Sequence, residues 1–279
     1  MVTPLSTEHT IPDGLKDVII QITSTQFTTN GETLEDKFIP NCCTGWVIHF
    51  KKTFTLSGAN FSPFILPTTF FIGNINHFLF LRSLGDSDSI VIICKPYGLY
   101  RIFGINMGYI SQNYCVDAMP FITSDFYDLI KNCSTTTQRI NLLTEYIEQK
   151  LQTSHKPPHI VDSICDELTA HNGNIKIQEL AARYNLNERY LRRLFKERIG
   201  LSAKQLARIA RISYMIRNLP VKTKPEWLSL VNECGYSDQA HLINDFKAVT
   251  GETPNTLFNR DRRYMNFITF LKQDEITFP

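Results

Sequence analysis

The chain has 279 residues, a formal net charge of +2 and seven cysteines. That length suggests two domains, each long enough to bury its own core. No apolar run approaches the roughly 18–20 residues of a membrane span, and the opening MVTPLSTEHTIPDG lacks the basic stretch and apolar block of a secretory signal, so neither a membrane nor an exported protein is expected. Cys42, Cys43, Cys94, Cys115, Cys133, Cys165 and Cys234 show no CxxC and no regular spacing, the pattern of reduced thiols in a cytoplasmic protein.

The charge is unevenly spread. Residues 1–155 hold ten Lys and Arg against thirteen Asp and Glu, a balance of −3, and residues 156–263 hold eighteen against twelve, a balance of +6. A basic half joined to a mildly acidic one suits a nucleic-acid-binding domain tied to a domain with another task, although an ordinary solvated basic face gives the same balance.

In chain order, residues 1–37 are polar and turn-rich, and only LKDVIIQI (Leu15 to Ile22) reads as a strand. From Phe38 to Ile105, GWVIHF, KTFTL, FSPFILPTTFFIG, HFLFLRSL and DSIVIICKP are short aromatic or β-branched runs divided by Gly, Asn, Asp, Ser and Pro. Such spacing predicts a sandwich or barrel, here a jelly-roll or cupin-like one. KPYGLYRIFGI (Lys95 to Ile105) reads as a turn around Pro96 and Gly98 that leads into a short helix or strand. Trp46, Phe50, Phe64, Phe70, Phe71, Phe78 and Phe80 can line a ligand cavity or simply fill the core. His49 and His77 stand outside any HxH or HxxxH pair, so no metal site and no catalytic cupin centre is expected. Cysteines in apolar strand-like sequence read as inert thiols.

From Ser124 to Gln152 the apolar period changes to three and four. Phe126, Leu129 and Ile130, then Ile140, Leu143, Tyr146, Ile147 and Leu151, predict two amphipathic helices broken near 132–136. The second stripe can pair with a copy of itself or pack on the sheet. Ser154 to Pro158 (SHKPP) is a stiff linker. Beyond it, Ile160, Ile164 and Leu168 predict the buried face of a helix ended by Asn172-Gly173.

Two helix-turn-helix units follow. In the first, a helix over 177–184 buries Leu180 and Ala181, Asn185-Leu186 turns, and Asn187 N-caps a second helix with Tyr190, Leu191, Leu194 and Phe195 inward. Its other face carries Arg189, Arg192, Arg193 and Lys196. A long helix over 202–218 comes next, with Arg208 and Arg211 available for phosphate contact or packing. In the second unit, a short helix over 227–233 turns Leu228 and Val231 inward. Gly235-Tyr236 ends it, Ser237 can N-cap the next, and Leu242, Phe246 and Val249 form the latter's apolar face. Gly251 stops that helix and Thr253-Pro254 prevents its continuation. Beyond Pro254 a continuing helix carries Arg260, Arg262 and Arg263, which read as a solvated helix end or as contacts to a nucleic-acid backbone, and the tail after it carries Phe267, Phe270 and Leu271, an apolar cluster with no functional reading.

Gly235, Tyr236, Ser237, Phe246-Lys247 and Gly251 to Pro254, together with Leu191-Arg192-Arg193-Leu194-Phe195, resemble the two signatures of the AraC/XylS family of bacterial transcription regulators. NCCTGWVIHF and the Lys95-Pro96-Tyr97-Gly98 step are similar to the small cupin-like N-terminal domain of a subset of that family. The resemblance implies a two-domain α+β protein. Residues 1–153 are expected to form a β-rich cupin-like regulatory or dimerisation domain, 154–158 a linker, 159–265 an all-α DNA-binding domain with two helix-turn-helix motifs joined by a long helix, and 266–279 a tail.

It also implies a sequence-specific transcription regulator, by the family's usual mode an activator, and not an enzyme. A recognition helix reads base edges from the major groove, where arginine pairs with guanine and Gln or Asn with adenine. Arg189, Arg192, Arg193, Gln239, Ile243 and Asn244 are accordingly the expected base readers, with Ile243 placed for a thymine methyl. Asn187, Lys196, Ser237, His241 and Lys247 are the expected backbone contacts. The family commonly carries arginine where Asn244 stands, so the first recognition helix is expected to supply most of the readout. Expected partners are double-stranded DNA and RNA polymerase, with a small-molecule effector and a homodimer as further possibilities. No cofactor, metal or membrane contact is expected. Two alternatives stay open: a cupin-domain enzyme or small-molecule-binding protein with an accessory helical domain, and a helix-turn-helix pair turned into a protein-binding surface.

Overall fold

The computed structural model describes residues 5–218 and 231–258. Among these, the N-terminal half forms strands β1 (Leu5–His9), β2 (Ile19–Phe27), β3 (Glu35–Phe38), β4 (Thr44–His49), β5 (Phe54–Gly58), β6 (Phe61–Ile65), β7 (Thr69–Ile72), β8 (Leu79–Ser83), β9 (Ser87–Cys94) and β10 (Cys115–Asp117). They make two antiparallel sheets, in the orders β1-β2-β9-β4-β7-β10 and β3-β8-β5-β6. Side chains alternate across a strand. Val47 of β4 and Phe70 of β7 therefore face Phe54, Leu56 and Leu79 of the smaller sheet, while Trp46, Ile48 and Phe71 point the other way, into a core shared with the helices. The larger sheet is thus apolar on both faces, and every residue of β4 is buried. This explains the unbroken apolar character of GWVIH.

The expected strand over Leu15 to Ile22 is displaced. A 3₁₀ turn occupies Asp13–Leu15, and β2 begins only at Ile19, after the Val18 carbonyl has accepted the Lys95 amide at 2.9 Å. The Pro96–Gly98 turn opens α1 (Gly98–Phe103), and α2 (Met107–Asn113) follows. Helices α3 (Ser124–Lys131) and α4 (Thr136–Thr153) appear where the period changed. Thr135 and Gln138 form a capping box that starts α4 cleanly. The stripe of α4 is used inside the chain: Ile140, Leu143 and Ile147 are buried, and Tyr146 stacks on Phe126 at 3.9 Å beside Trp46.

The helical half comprises α5 (Ile160–Ala170), α6 (Ile177–Arg183), α7 (Glu188–Arg198), α8 (Ala203–Asn218), α9 (Gln239–Thr250) and α10 (Pro254–Phe258). The buried face of α5 is Val161, Ile164, Cys165 and Leu168; Ile160, expected inward, lies one position off that face and is exposed. Two apolar clusters organise this half. The first runs without interruption from the larger sheet through α1, α2 and α4 into α5, α7 and the start of α8. The second gathers Ile212, Met215 and Ile216 of α8 with Val231, Tyr236, Leu242, Phe246 and Val249, and takes in Ile39 from the β3–β4 connection. Trp227, Leu228, Arg260, Arg262 and Arg263, and the tail residues Phe267, Phe270 and Leu271, lie outside the described residues.

Candidate nucleic-acid interface

The first unit is built as its residues dictate. Asn185 takes a left-handed φ of 51° in the turn after α6, and the Leu186 amide returns to the Ala181 carbonyl at 2.9 Å. Asn187 Oδ1 accepts the Tyr190 amide at 2.8 Å and caps α7, satisfying a donor the helix cannot pair itself. Leu191, Leu194 and Phe195 are buried. Arg189, Arg192, Arg193 and Lys196 are all exposed, as expected, and among the described residues no carboxylate forms an ion pair with them. Tyr190, read from the sequence as inward, is instead 36% exposed, with the Arg193 guanidinium 5.1 Å from its ring centroid. A residue one step before Leu191 sits about 100° around the helix from it, at the border of the apolar stripe. An aromatic ring thus joins the basic face.

Arg198, seven residues after Leu191 and three after Phe195, falls on the apolar stripe of α7 rather than on that face. It is buried, and its guanidinium grips the Asp162 carboxylate with Nε–Oδ1 at 3.1 Å and Nη2 at 2.9 Å from both oxygens. Asp162 also accepts the His159 amide at 3.1 Å in the capping box of α5, and the Tyr100 ring covers the guanidinium at 4.4 Å. Burial pushes the Asp162 carboxyl upward against the opposing pull of Arg198. The pair fixes the C-terminal end of α7 to the start of α5, a bidentate arrangement with satisfied oxygens.

In the second unit the N-cap is Asp238 rather than Ser237. Asp238 Oδ1 accepts the His241 amide at 2.7 Å, while Ser237 Oγ donates to Oδ2 at 3.0 Å. A carboxylate one residue further on reaches the third helical amide with the right geometry, and these bonds hold Asp238 below the usual carboxylate range. Leu242, Phe246 and Val249 are buried as expected. Gly251 closes α9 with a left-handed φ of 78°, its amide returning to the Lys247 carbonyl. Gln239, His241, Asn244 and Lys247 are exposed, and Ile243 is half-buried against the second cluster.

Arg208 and Arg211 belong to packing. They approach Asp245 of α9 at 3.7 and 3.9 Å, Arg211 also donates to the Gly173 carbonyl at 3.0 Å, and its guanidinium covers Tyr236. Tyr236 donates its hydroxyl to Asp245 at 3.3 Å, and His241 Nε2 lies 3.9 Å from the same carboxylate. Asp245 is therefore the hub that seats α9 on α8, a role hidden in sequence because its partners lie in another helix.

The aromatics considered for a ligand cavity do not share one space. Trp46 and Phe71 face the helices, Phe70 faces the sandwich interior, Phe64 is exposed on β6, and Phe78 meets Phe80 edge-on. His49 is buried between Phe54 and Phe70, where burial lowers its pKa to about 4. Among the described residues no group of three or more His, Cys, Asp or Glu is placed to hold a metal ion, and no helix is long and apolar enough to cross a membrane.

Two capped helices, each following a tight turn and each presenting a polar outer face, define a double helix-turn-helix protein. Residues 180–260, from α6 through α10, match the family model described as a helix-turn-helix domain, of the AraC type. This region is an AraC-type helix-turn-helix domain, and the chain is a DNA-binding transcriptional regulator. No curated protein sequence matches the chain. Among solved structures, ToxT from Vibrio cholerae in its apo form is similar at 12% identity over 92% of this chain and 96% of that one, with a TM-score of 0.44. ToxT with unsaturated fatty acid bound is similar at 15% identity over 82% and 96%, with a TM-score of 0.42. The AraC-like transcriptional activator CuxR is similar at 12% identity over 88% and 100%, with a TM-score of 0.27.

Proposed function

We propose that the chain acts at a promoter as a sequence-specific activator in the cytoplasm, with α7 and α9 entering successive major-groove segments on one side of the duplex. Arg189, Arg192 and Arg193 read guanine, Gln239 and Asn244 read adenine, and Ile243 meets a thymine methyl. Asn187, Lys196, Ser237, His241 and Lys247 hold the phosphate backbone. Residues 1–153 form the regulatory domain, through which a small-molecule effector or a second copy of the chain acts. Residues 154–158 link it to the DNA-binding domain over 159–265, and RNA polymerase is the partner at the promoter. The chain is not an enzyme in this reading.

The observation that supports it most directly is the outer face of α7, where three arginines, a lysine and Tyr190 stand exposed on a helix whose opposite side is buried. Selection of preferred sites from random duplex DNA tests it. Recovery of one motif with two half-contacts about a helical turn apart is expected. An enzyme or a protein-binding surface would yield no enriched motif, only weak affinity that is equal for all sequences.

A further inference from the structure

The two DNA-contacting units are held by more than the helix between them. The β7–β8 connection of the N-terminal half touches the C-terminal ends of both recognition helices. At the first, buried Asn74 donates through Nδ2 to the carbonyl of Ile199, which caps α7, at 2.9 Å, and to the Pro96 carbonyl at 2.8 Å. At the second, four residues further on, Phe78 lies against Gly251 so closely that any Cβ there would collide with the ring. The β3–β4 connection runs alongside. Cys42 Sγ lies 3.5 Å from the Leu206 carbonyl and the Pro40 carbonyl accepts Ser213 Oγ at 3.2 Å, while Ile39 is buried among residues of α8 and α9. Lys37 pairs with Glu252 at 2.7 Å, the two side chains only 11% and 9% exposed, with the Lys37 ammonium 4.4 Å from the Phe78 ring.

The geometry has a mechanical consequence. The Asp245 hub and the apolar seam seat α9 along α8, and a single line of contact leaves rotation about that line open. Gly251 and Glu252 lie roughly 9 Å further along α9 than Asp245. A second attachment there removes the rotation. Four residues, Asn74 to Phe78, span at most about 14 Å even when extended, so the two attachments cannot drift apart. We infer that these two connections, with Lys37 near the end of β3, form a bracket that fixes the angle between α7 and α9, and that Lys37, Ile39, Asn74 and Phe78 thereby determine which half-site spacing on DNA the chain accepts.

The inference rests on the DNA-reading function proposed above. Each added base pair moves the second half-contact by about 3.4 Å along the duplex and about 35° around it, so a rigid pair of helices must discriminate between spacings. The test is a set of duplexes carrying both half-contacts at the selected spacing and at one or two base pairs more or less. They are titrated with the full chain, with Lys37→Glu, with Phe78→Ala, and with the Lys37→Glu/Glu252→Lys double variant. The full chain is expected to prefer its own spacing by about tenfold or more. Lys37→Glu and Phe78→Ala should flatten that preference to within about threefold while leaving binding to an isolated first half-contact unchanged. The double variant, which restores the ion pair with its charges exchanged, should recover the preference.

Variants that keep the full spacing profile while folded overturn the bracket. So does equal loss of binding to every duplex, including the isolated half-contact, in both single variants with no recovery in the double one. A full chain that enriches no motif overturns the DNA-reading function itself, a result distinct from either.

Discussion

The two recognition helices have the same architecture and different chemistry. α7 carries Arg189, Arg192, Arg193, Lys196 and Arg198 against Glu188 and Glu197, a formal charge of +3, while α9 carries Lys247 against Asp245 and is neutral. In the proposed function the outer face of α7 suits phosphate attraction and guanine, and that of α9 amide readout through Gln239 and Asn244. Their anchoring differs too. α7 is tied by a buried, bidentate Arg198–Asp162 pair, whereas α9 meets α8 through ion pairs of 3.7 and 3.9 Å around the half-buried Asp245 and has its closer tie, Lys37–Glu252 at 2.7 Å, just past its C-terminal end. A positively charged helix and a neutral one suggest a division of labour within the proposed function: α7 would supply the electrostatic affinity and most of the base readout, and α9 a narrower readout without charge.

The largest expected effects test the anchors. Asp162→Ala leaves the Arg198 guanidinium buried without its carboxylate and should lower stability by about 3–5 kcal/mol in urea titration. Asp245→Ala strands two arginines that can turn to water, and should cost about 1 kcal/mol or less. Equal losses would erase the contrast between the anchors.

Next come the faces. Arg192→Ala and Arg193→Ala should each weaken binding to the preferred site by about 1–3 kcal/mol, roughly 5- to 150-fold, and binding to random DNA far less. Equal loss on both duplexes would make the mutated arginine a phosphate contact. Lys196→Ala should reduce the slope of log K against log salt by about 1, whereas Asn244→Ala should leave that slope unchanged while relaxing specificity at one position. A slope altered by Asn244→Ala would show that α9 contributes electrostatically, and the division of labour would fail.

Most of this contrast was legible in the sequence, because it is local. Period, caps and outward charges specify a helix and its faces from neighbours three and four residues away, so α3 to α9 and their exposed polar residues follow from the pattern. Strands β1 and β3 did not, since LSTEH and EDKF alternate too weakly to signal a half-buried strand, and α2 is too short to show a period. The anchors were illegible for a different reason. Arg198 has the spacing of the buried stripe, but only the fold brings Asp162 to it as a partner. Lys37 and Glu252 are 215 positions apart, a separation at which no spacing rule operates.

The smallest predicted effect concerns the caps and separates the two helices by pH. α7 is capped by an amide, Asn187, and α9 by a carboxylate, Asp238. The Asp238 carboxyl is held below its unfolded value of 3.8, first by the His241 amide and then by the Ser237 hydroxyl. A depressed carboxyl binds its proton less readily in the folded chain than in the unfolded one. Its contribution is therefore complete above the unfolded value and is lost as pH falls through the lower folded value. Asn187→Ala should cost about 1 kcal/mol at any pH. Asp238→Asn keeps an acceptor at the N-cap but removes the titration, so the stability difference between the unmodified chain and this variant should shrink as pH drops below 3.8, the unfolded value. A difference that stays constant through that range would mean that the Asp238 charge contributes nothing to α9, and that the two recognition helices are capped alike.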